Sequence, residues 1–285
     1  MSKSKTPSPS DGKTEWASEK WAPGSSLKVV QPDSEIRQLF KDRKTSNLQK
    51  YKWLTLGESS IWKFFYFEML TMLLQGTRGA VGIYLRQKLM PGLFQQCGCG
   101  LVVGRNVVFR HPGRIVIGNN VVIDDNVVID AKGDSSTTIV IGSNSIIGRN
   151  SALVCKGGTI ELESEVNISV NCTVISESRV SIGRKTLVGG HCYIIGGGNH
   201  GIDFSGVPFV DQPRIEKGGV EILHNCWLGA NSTVLDGTVI GPDAVVGAAA
   251  LVNRNVPPQT IVAGVPAEII SPSSESTNVR KKLAR

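Results

Sequence analysis

The side chain best suited to moving a proton is His200, in the stretch Gly196-Gly197-Gly198-Asn199-His200-Gly201-Ile202-Asp203-Phe204. A histidine beside flexible glycines at the root of a long loop faces an open site. Imidazole there takes a hydroxyl proton as a new bond to oxygen forms. His191 and His224 fall near chain corners and read as surface or subunit-contact residues. Cys172, Cys192 and Cys226 fall where small inward side chains belong and read as core fillers. Cys97 and Cys99 have no partner pair, so a zinc knuckle is not expected. Gly76-Thr77-Arg78-Gly79 suggests a nucleotide loop, but too few residues precede it for the strand-rich domain such a loop opens, so the match is chance.

The elements that must position His200 follow from a repeat of six. An aliphatic residue recurs at Ile117, Ile123 and Ile129, again at Ile141, Ile147 and Leu153, at Leu162, Ile168 and Val174, and at Ile182, Val188 and Ile194. After a gap come Ile222, Leu228 and Val234, then Ile240, Val246 and Val252. Two residues before most of them sits a small or β-branched side chain, such as Val121, Ser145, Ser151, Thr186, Ser232, Thr238 and Ala244. Period two within a period of six means short strands that send two side chains inward and then turn a corner. Three strands close a triangle, so one coil takes eighteen residues. The interruptions after Ile129, Leu153, Val174 and Ile194 add six, three, two and twenty-two residues, always after the third strand. A solenoid tolerates insertions at one corner because each coil touches only its neighbours. His200 lies in the longest, residues 195–221.

Composition fits this reading. Glycine is abundant at 32 of 285 residues and aromatics are 6 %, which suits tight corners and small fillers rather than a helical bundle. The net charge of +7 belongs to the ends: residues 1–50 carry +4, residues 271–285 carry +3, and the middle is neutral. No basic stripe crosses the body, so nucleic-acid binding is not expected. MSKSKTPSPSDGK carries no apolar run before a cleavage site, and no apolar run long enough to span a bilayer is present. The expected setting is cytoplasmic with reduced thiols. Four regions follow: a disordered basic tail over 1–58, a helical segment over 59–98 capped by Ser59 or Ser60, the solenoid over 99–256, and a closing turn and flexible tail over 257–285. The helical segment reads either as a cap on the open end of the solenoid or as an interfacial segment making peripheral contact with the inner face of a membrane.

The eighteen hexads resemble the left-handed parallel β-helix of hexapeptide-repeat acyltransferases over roughly residues 100–270. The expected fold is mainly β, with about six to seven coils, an N-terminal helical segment and disordered tails. Asn199-His200, the long loop, Val220-Glu221-Ile222 and Asn225-Cys226-Trp227-Leu228-Gly229-Ala230 are similar to the galactoside and maltose acetyltransferase arrangement and to polysaccharide-biosynthesis acetyltransferases. The resemblance implies His200 as general base and direct transfer from acetyl-CoA in a ternary complex, without an acyl-cysteine. It implies a homotrimer with acetyl-CoA in a groove between subunits, lined by Trp227, Gly229, Ala230, Ala248, Asn253 and Arg254. A backbone amide at Gly229-Ala230 is expected to hold the oxyanion. The family often has Thr-Lys where Asn253-Arg254 stand. The candidate acceptor contacts are Asn199, Ser169 as nearest match to the family's acceptor-holding asparagine, and Asn171 as its alternative. Carbonic anhydrases share the solenoid, but their close histidine pair resembles H-x4-H, whereas His191, His200 and His224 lie nine and twenty-four residues apart, so no metal is expected. The expected activity is O-acetylation of a sugar hydroxyl on a polysaccharide or lipid-linked glycan precursor. N-acetylation of an amino-sugar and a non-catalytic scaffold are the alternatives.

Overall fold

The computed structural model describes residues 28–30, 42, 44–57, 60–133, 136–204 and 206–271. A parallel β-solenoid runs from Gln96 to Ala263, built from three sheets whose strands stack coil on coil. Ile117, Ile141, Leu162, Ile182, Ile222 and Ile240 lie on the first face. Ile123, Ile147, Ile168, Val188, Leu228 and Val246 lie on the second, and Ile129, Leu153, Val174, Ile194, Val234 and Val252 on the third. All eighteen are at most 2 % exposed. The small residues two positions earlier, Val121, Ser145, Ser151, Cys172, Thr186, Cys192, Cys226, Ser232, Thr238 and Ala244, are buried as well. Burial pushes the Cys226 thiol up to about 12, so it is an inert filler at neutral pH.

The solenoid has about eight turns against the six to seven expected, because Gln96–Cys97 opens the first face ahead of the coil begun at Val103 and Ile261–Ala263 adds a last parallel strand to the second. Its boundary therefore lies beyond 256. The following strand, Glu268–Ser271, turns back antiparallel on Ile261–Ala263. The remainder of the expected C-terminal tail, 272–285, lies outside the described residues. All four interruptions leave the corner between the third and first faces. The opposite end of the third face is a corner built on left-handed residues, among them Asn106, Asn126, Asn150, Asn171 and His191. Asparagine suits that conformation because its short side chain is tolerated there.

Among the described residues, three α-helices precede the solenoid: α1 (Asn47–Leu56), α2 (Ile61–Leu74) and α3 (Gly79–Leu89). The Ser60 hydroxyl caps α2 by accepting from the Lys63 amide, and Gly76 and Gly79 mark the break before α3. Phe64, Phe67, Leu70 and Leu74 form the buried side of α2, and Leu70 and Leu74 join Met90, Phe94, Leu101, Val103 and Phe109 in one apolar core. Arg86 locks the cap in place. Its buried guanidinium donates to the Leu74, Thr77 and Val103 carbonyls, each at 2.8 Å.

The stretch expected to be disordered through residue 58 holds α1 and a strand, Lys28–Val30. The sequence of α1 offers a capping box, Ser46 with Gln49, but little apolar periodicity. Its stability comes from a distant contact. His111 is buried, its amide donates to the Thr55 carbonyl at 2.7 Å, and its Nε2 lies 2.6 Å from the Trp53 carbonyl. A carbonyl only accepts, so the proton sits on Nε2, and buried Nδ1 has no partner among the described residues. Burial holds this imidazole below its ordinary pKa. The unfolded chain therefore takes up a proton near pH ~6.5 that the docked state refuses. Docking is fully stable above that pH and weakens as pH falls below it. Hydrogen exchange over 47–57, corrected for intrinsic rate, is expected to show protection falling between about pH 7 and about pH 5. Unchanged protection would show that His111 is not buried in solution.

Candidate active site

His200 sits on a two-residue strand, Asn199–His200, that pairs antiparallel with Arg214–Glu216. Lys28–Val30 adds the third strand on the outer side. This small sheet stands off the corner between the third and first faces, and its stem is pinned from both sides. Buried Asp236 accepts from the Asn199 side-chain amide at 2.7 Å, and from the backbone amides of Lys217 at 3.0 Å and Gly219 at 2.8 Å. One carboxylate thus ties the outgoing strand to the returning one. Arg214, the register partner of His200, forms an ion pair with Glu177 at 2.9 Å, fastening the hairpin to the preceding coil. Gly219 has φ +91°, and a Cβ there would lie 2.2 Å from the Arg179 carbonyl oxygen, so the returning stem passes only as glycine.

The half-buried imidazole is oriented by the loop itself. Its Nδ1 lies 3.4 Å from the Gln212 carbonyl oxygen. Since that oxygen only accepts, Nδ1 carries the proton and Nε2 keeps a free lone pair. The buried Gln212 side chain cinches the loop, donating to the Asp203 and Val207 carbonyls and accepting from the Asp203 amide. The tip beyond it exposes Ile202, Phe204 and Phe209.

The residues expected to line the cofactor groove fall on two edges. Gly229, Ala230 and Ala248 stack at the corner between the second and third faces. A Cβ on Gly229 would lie 2.5 Å from the Ala248 amide nitrogen. The Gly229 amide donates to the Val246 carbonyl at 2.7 Å, so it is committed to the coil ladder. The amides of Ala230 and Ala248, both exposed, have no partner among the described residues. Both are therefore able to receive an oxyanion or an amide carbonyl. Trp227 points outward from the second face, 58 % exposed, level with Leu187 and Val245. Asn253 and Arg254 follow the third face and so sit on the His200 side. Arg254 lies 3.5 Å from Glu268 and donates to the Ala267 carbonyl.

The candidate acceptor residues separate too. Asn199 spends its amide on Asp236. Asn171 accepts from Asn150 and its Nδ2 meets His191 Nε2 at 3.2 Å, one rung of the corner ladder. Ser169 stands on the Ala230 corner, half-exposed, with no hydroxyl partner among the described residues. Among them, no three His, Cys, Asp or Glu side chains are grouped to hold a metal ion. Sequence reasoning missed Asp236, Glu177 and Arg214. An acid after a hexad or an arginine in a loop carries no signal until the coils are stacked.

His200 and the free amides therefore lie at opposite ends of the third face, separated by about 17 Å of extended chain, five residue steps at roughly 3.3 Å each.

No protein-family profile matches the chain. A lipopolysaccharide-biosynthesis O-acetyl transferase, WbbJ of Escherichia coli, so described with its activity unproven, is 36 % identical over 131 residues, 44 % of this chain and 66 % of that protein. Galactoside O-acetyltransferase of E. coli is 27 % identical over 120 residues, 40 % of this chain and 54 % of that protein. The resemblance to acetyltransferases holds. The chain spans just under two thirds of the first of these relatives and about half of the second. A tetrahydropyridine-dicarboxylate N-acetyltransferase of Staphylococcus aureus matches over a shorter 64 residues at 39 % identity, 22 % of this chain and 27 % of that one. Solved structures that align include a variant of AntD, an N-acyltransferase from Bacillus cereus, with dTDP-4-amino-4,6-dideoxyglucose and coenzyme A. It is 22 % identical with a TM-score of 0.45, over 70 % of this chain and 97 % of that one. Galactoside acetyltransferase with coenzyme A is 18 % identical with a TM-score of 0.37, over 76 % and 84 %.

Proposed function

We propose that the chain is an acetyl-CoA-dependent O-acetyltransferase acting on a sugar hydroxyl of a polysaccharide or lipid-linked glycan precursor. The observation that carries the reading is a histidine on a pinned hairpin whose Nδ1 is held by a carbonyl, leaving Nε2 as a bare base. Relatives that are O-acetyltransferases support the chemistry. His200 Nε2 removes the acceptor hydroxyl proton as the oxygen attacks the thioester carbonyl carbon. The Ala230 amide receives the oxyanion, the carbon–sulfur bond breaks, and the imidazolium returns its proton to the departing thiolate. Ala248, small and exposed, leaves room for the pantetheine arm, and Arg254 is the charge available to a CoA phosphate. Ser169, free on the Ala230 corner, is our candidate acceptor contact.

The active unit is a homotrimer with sites between subunits, because one chain sets the base and the free amides on different edges. The second face offers exposed Ile146, Leu187 and Trp227, with Asn167 between the first two, for such packing. Thiol release from acetyl-CoA, followed across a panel of glycan acceptors, tests the activity. A base-labile ester product supports transfer to oxygen. A base-stable amide assigns the chain to N-acetylation, the chemistry of its S. aureus relative.

A further inference from the structure

Helix α2 is apolar on two sides, and only one is needed for folding. Phe64, Phe67, Leu70 and Leu74 are buried in the cap. Trp62, Phe65, Met69, Met72 and Leu73 form a second stripe at helical spacing and are exposed, Trp62 at 80 % and Met72 at 78 %. On α3, which packs against α2, Val81 and Tyr84 are exposed too. Contiguous exposed apolar surface of this kind marks a binding face. Charge indicates the occupant. Lys63, Arg78 and Lys88 are exposed around the stripe, while Glu68 is the sole carboxylate between residues 60 and 95 and is half-buried, accepting from the Tyr51 hydroxyl at 2.9 Å. Trp, Phe and Met suit either a protein interface or a membrane boundary, but lysine is depleted at protein interfaces, and an apolar stripe flanked by cations suits the boundary of an anionic bilayer.

We propose that the exposed face of α2 and α3 docks the protein on an anionic membrane surface. The 14 residues of α2 are about 21 Å long at 1.5 Å per residue, short of the roughly 30 Å apolar core of a bilayer, so the helix lies in the interface. No helix among the described residues is long and apolar enough to cross a membrane. The proposal stands apart from the transfer reaction and is tested without it. The full-length chain is sedimented with vesicles of phosphatidylglycerol and phosphatidylcholine, and with phosphatidylcholine alone. Binding is expected to the mixed vesicles, weakening as salt rises. Trp62→Ser with Met72→Ser is expected to lower partitioning at least about tenfold, a change of about 1.4 kcal/mol. Lys63→Glu with Lys88→Glu leaves the buried side of α2 untouched, provides a second reading should the first pair disturb folding, and is expected to abolish the preference for anionic lipid. Absence of co-sedimentation overturns the proposal. So does binding at the wild-type level by both double variants, or a loss of oligomer size in the Trp62 and Met72 variant without any change in vesicle binding, which would assign the stripe to a second copy of the chain.

Discussion

His200→Ala is expected to lower acceptor-dependent thiol release by about a hundredfold or more while leaving the melting temperature nearly unchanged. General-base catalysis contributes roughly 10²–10⁴-fold, and the imidazole is the group whose lone pair the loop leaves free. Its one side-chain contact among the described residues, 3.4 Å to the Gln212 carbonyl, is long, so it orients the ring while adding little to stability. Asp236→Ala is the contrasting control. It leaves the Asn199 side chain and the amides of Lys217 and Gly219 without their acceptor. Each buried group stripped of its partner costs about 1–3 kcal/mol, so this variant loses stability as well as rate. Activity retained by His200→Ala would place the base elsewhere and remove the mechanism, though not the solenoid.

The contrast between these residues explains what a sequence can disclose. The eighteen aliphatic positions were legible because geometry imposes them: a triangular coil admits two inward side chains per strand, and a polar substitution at Ile147 or Val188 would be buried without a partner. The insertion corner was legible for the same reason, since gaps in phase leave only one edge open. The Asp236 clamp was not. In the chain, Asp236 resembles Asp243, another corner acid, and only stacking the coils buries one carboxylate under a loop stem while leaving the other partly exposed. The choice between the Gly229 and Ala230 amides likewise depends on inter-coil register, which decides which N–H meets a carbonyl above it. Helix α1 was missed because it is held by distant contacts, His111 58 residues beyond Trp53 and Glu68 with Phe64 of α2 against Tyr51, rather than by its own periodicity.

The separation of base and amides makes a second large effect expected: two inactive variants should restore each other. His200→Ala removes the proposed base at one end of the third face. Ala248→Tyr fills the exposed corner at the other end, where a large side chain blocks the groove without entering the core. Each alone is expected to fall to background in thiol release. If each site takes its base from one subunit and its groove from the next, equal mixing of the two, unfolded and reassembled together, yields a site with an intact base and an intact groove in about one pairing of four, and hence about a quarter of wild-type activity. A site contained in one chain gives no rescue at any mixing ratio, because every site then carries one of the two lesions. The result thus separates two geometries that leave the same wild-type rate. Rescue near a quarter would assign His200 and the Ala230 amide to different subunits of one site, and persistent inactivity would require the hairpin to fold back across the third face of its own chain.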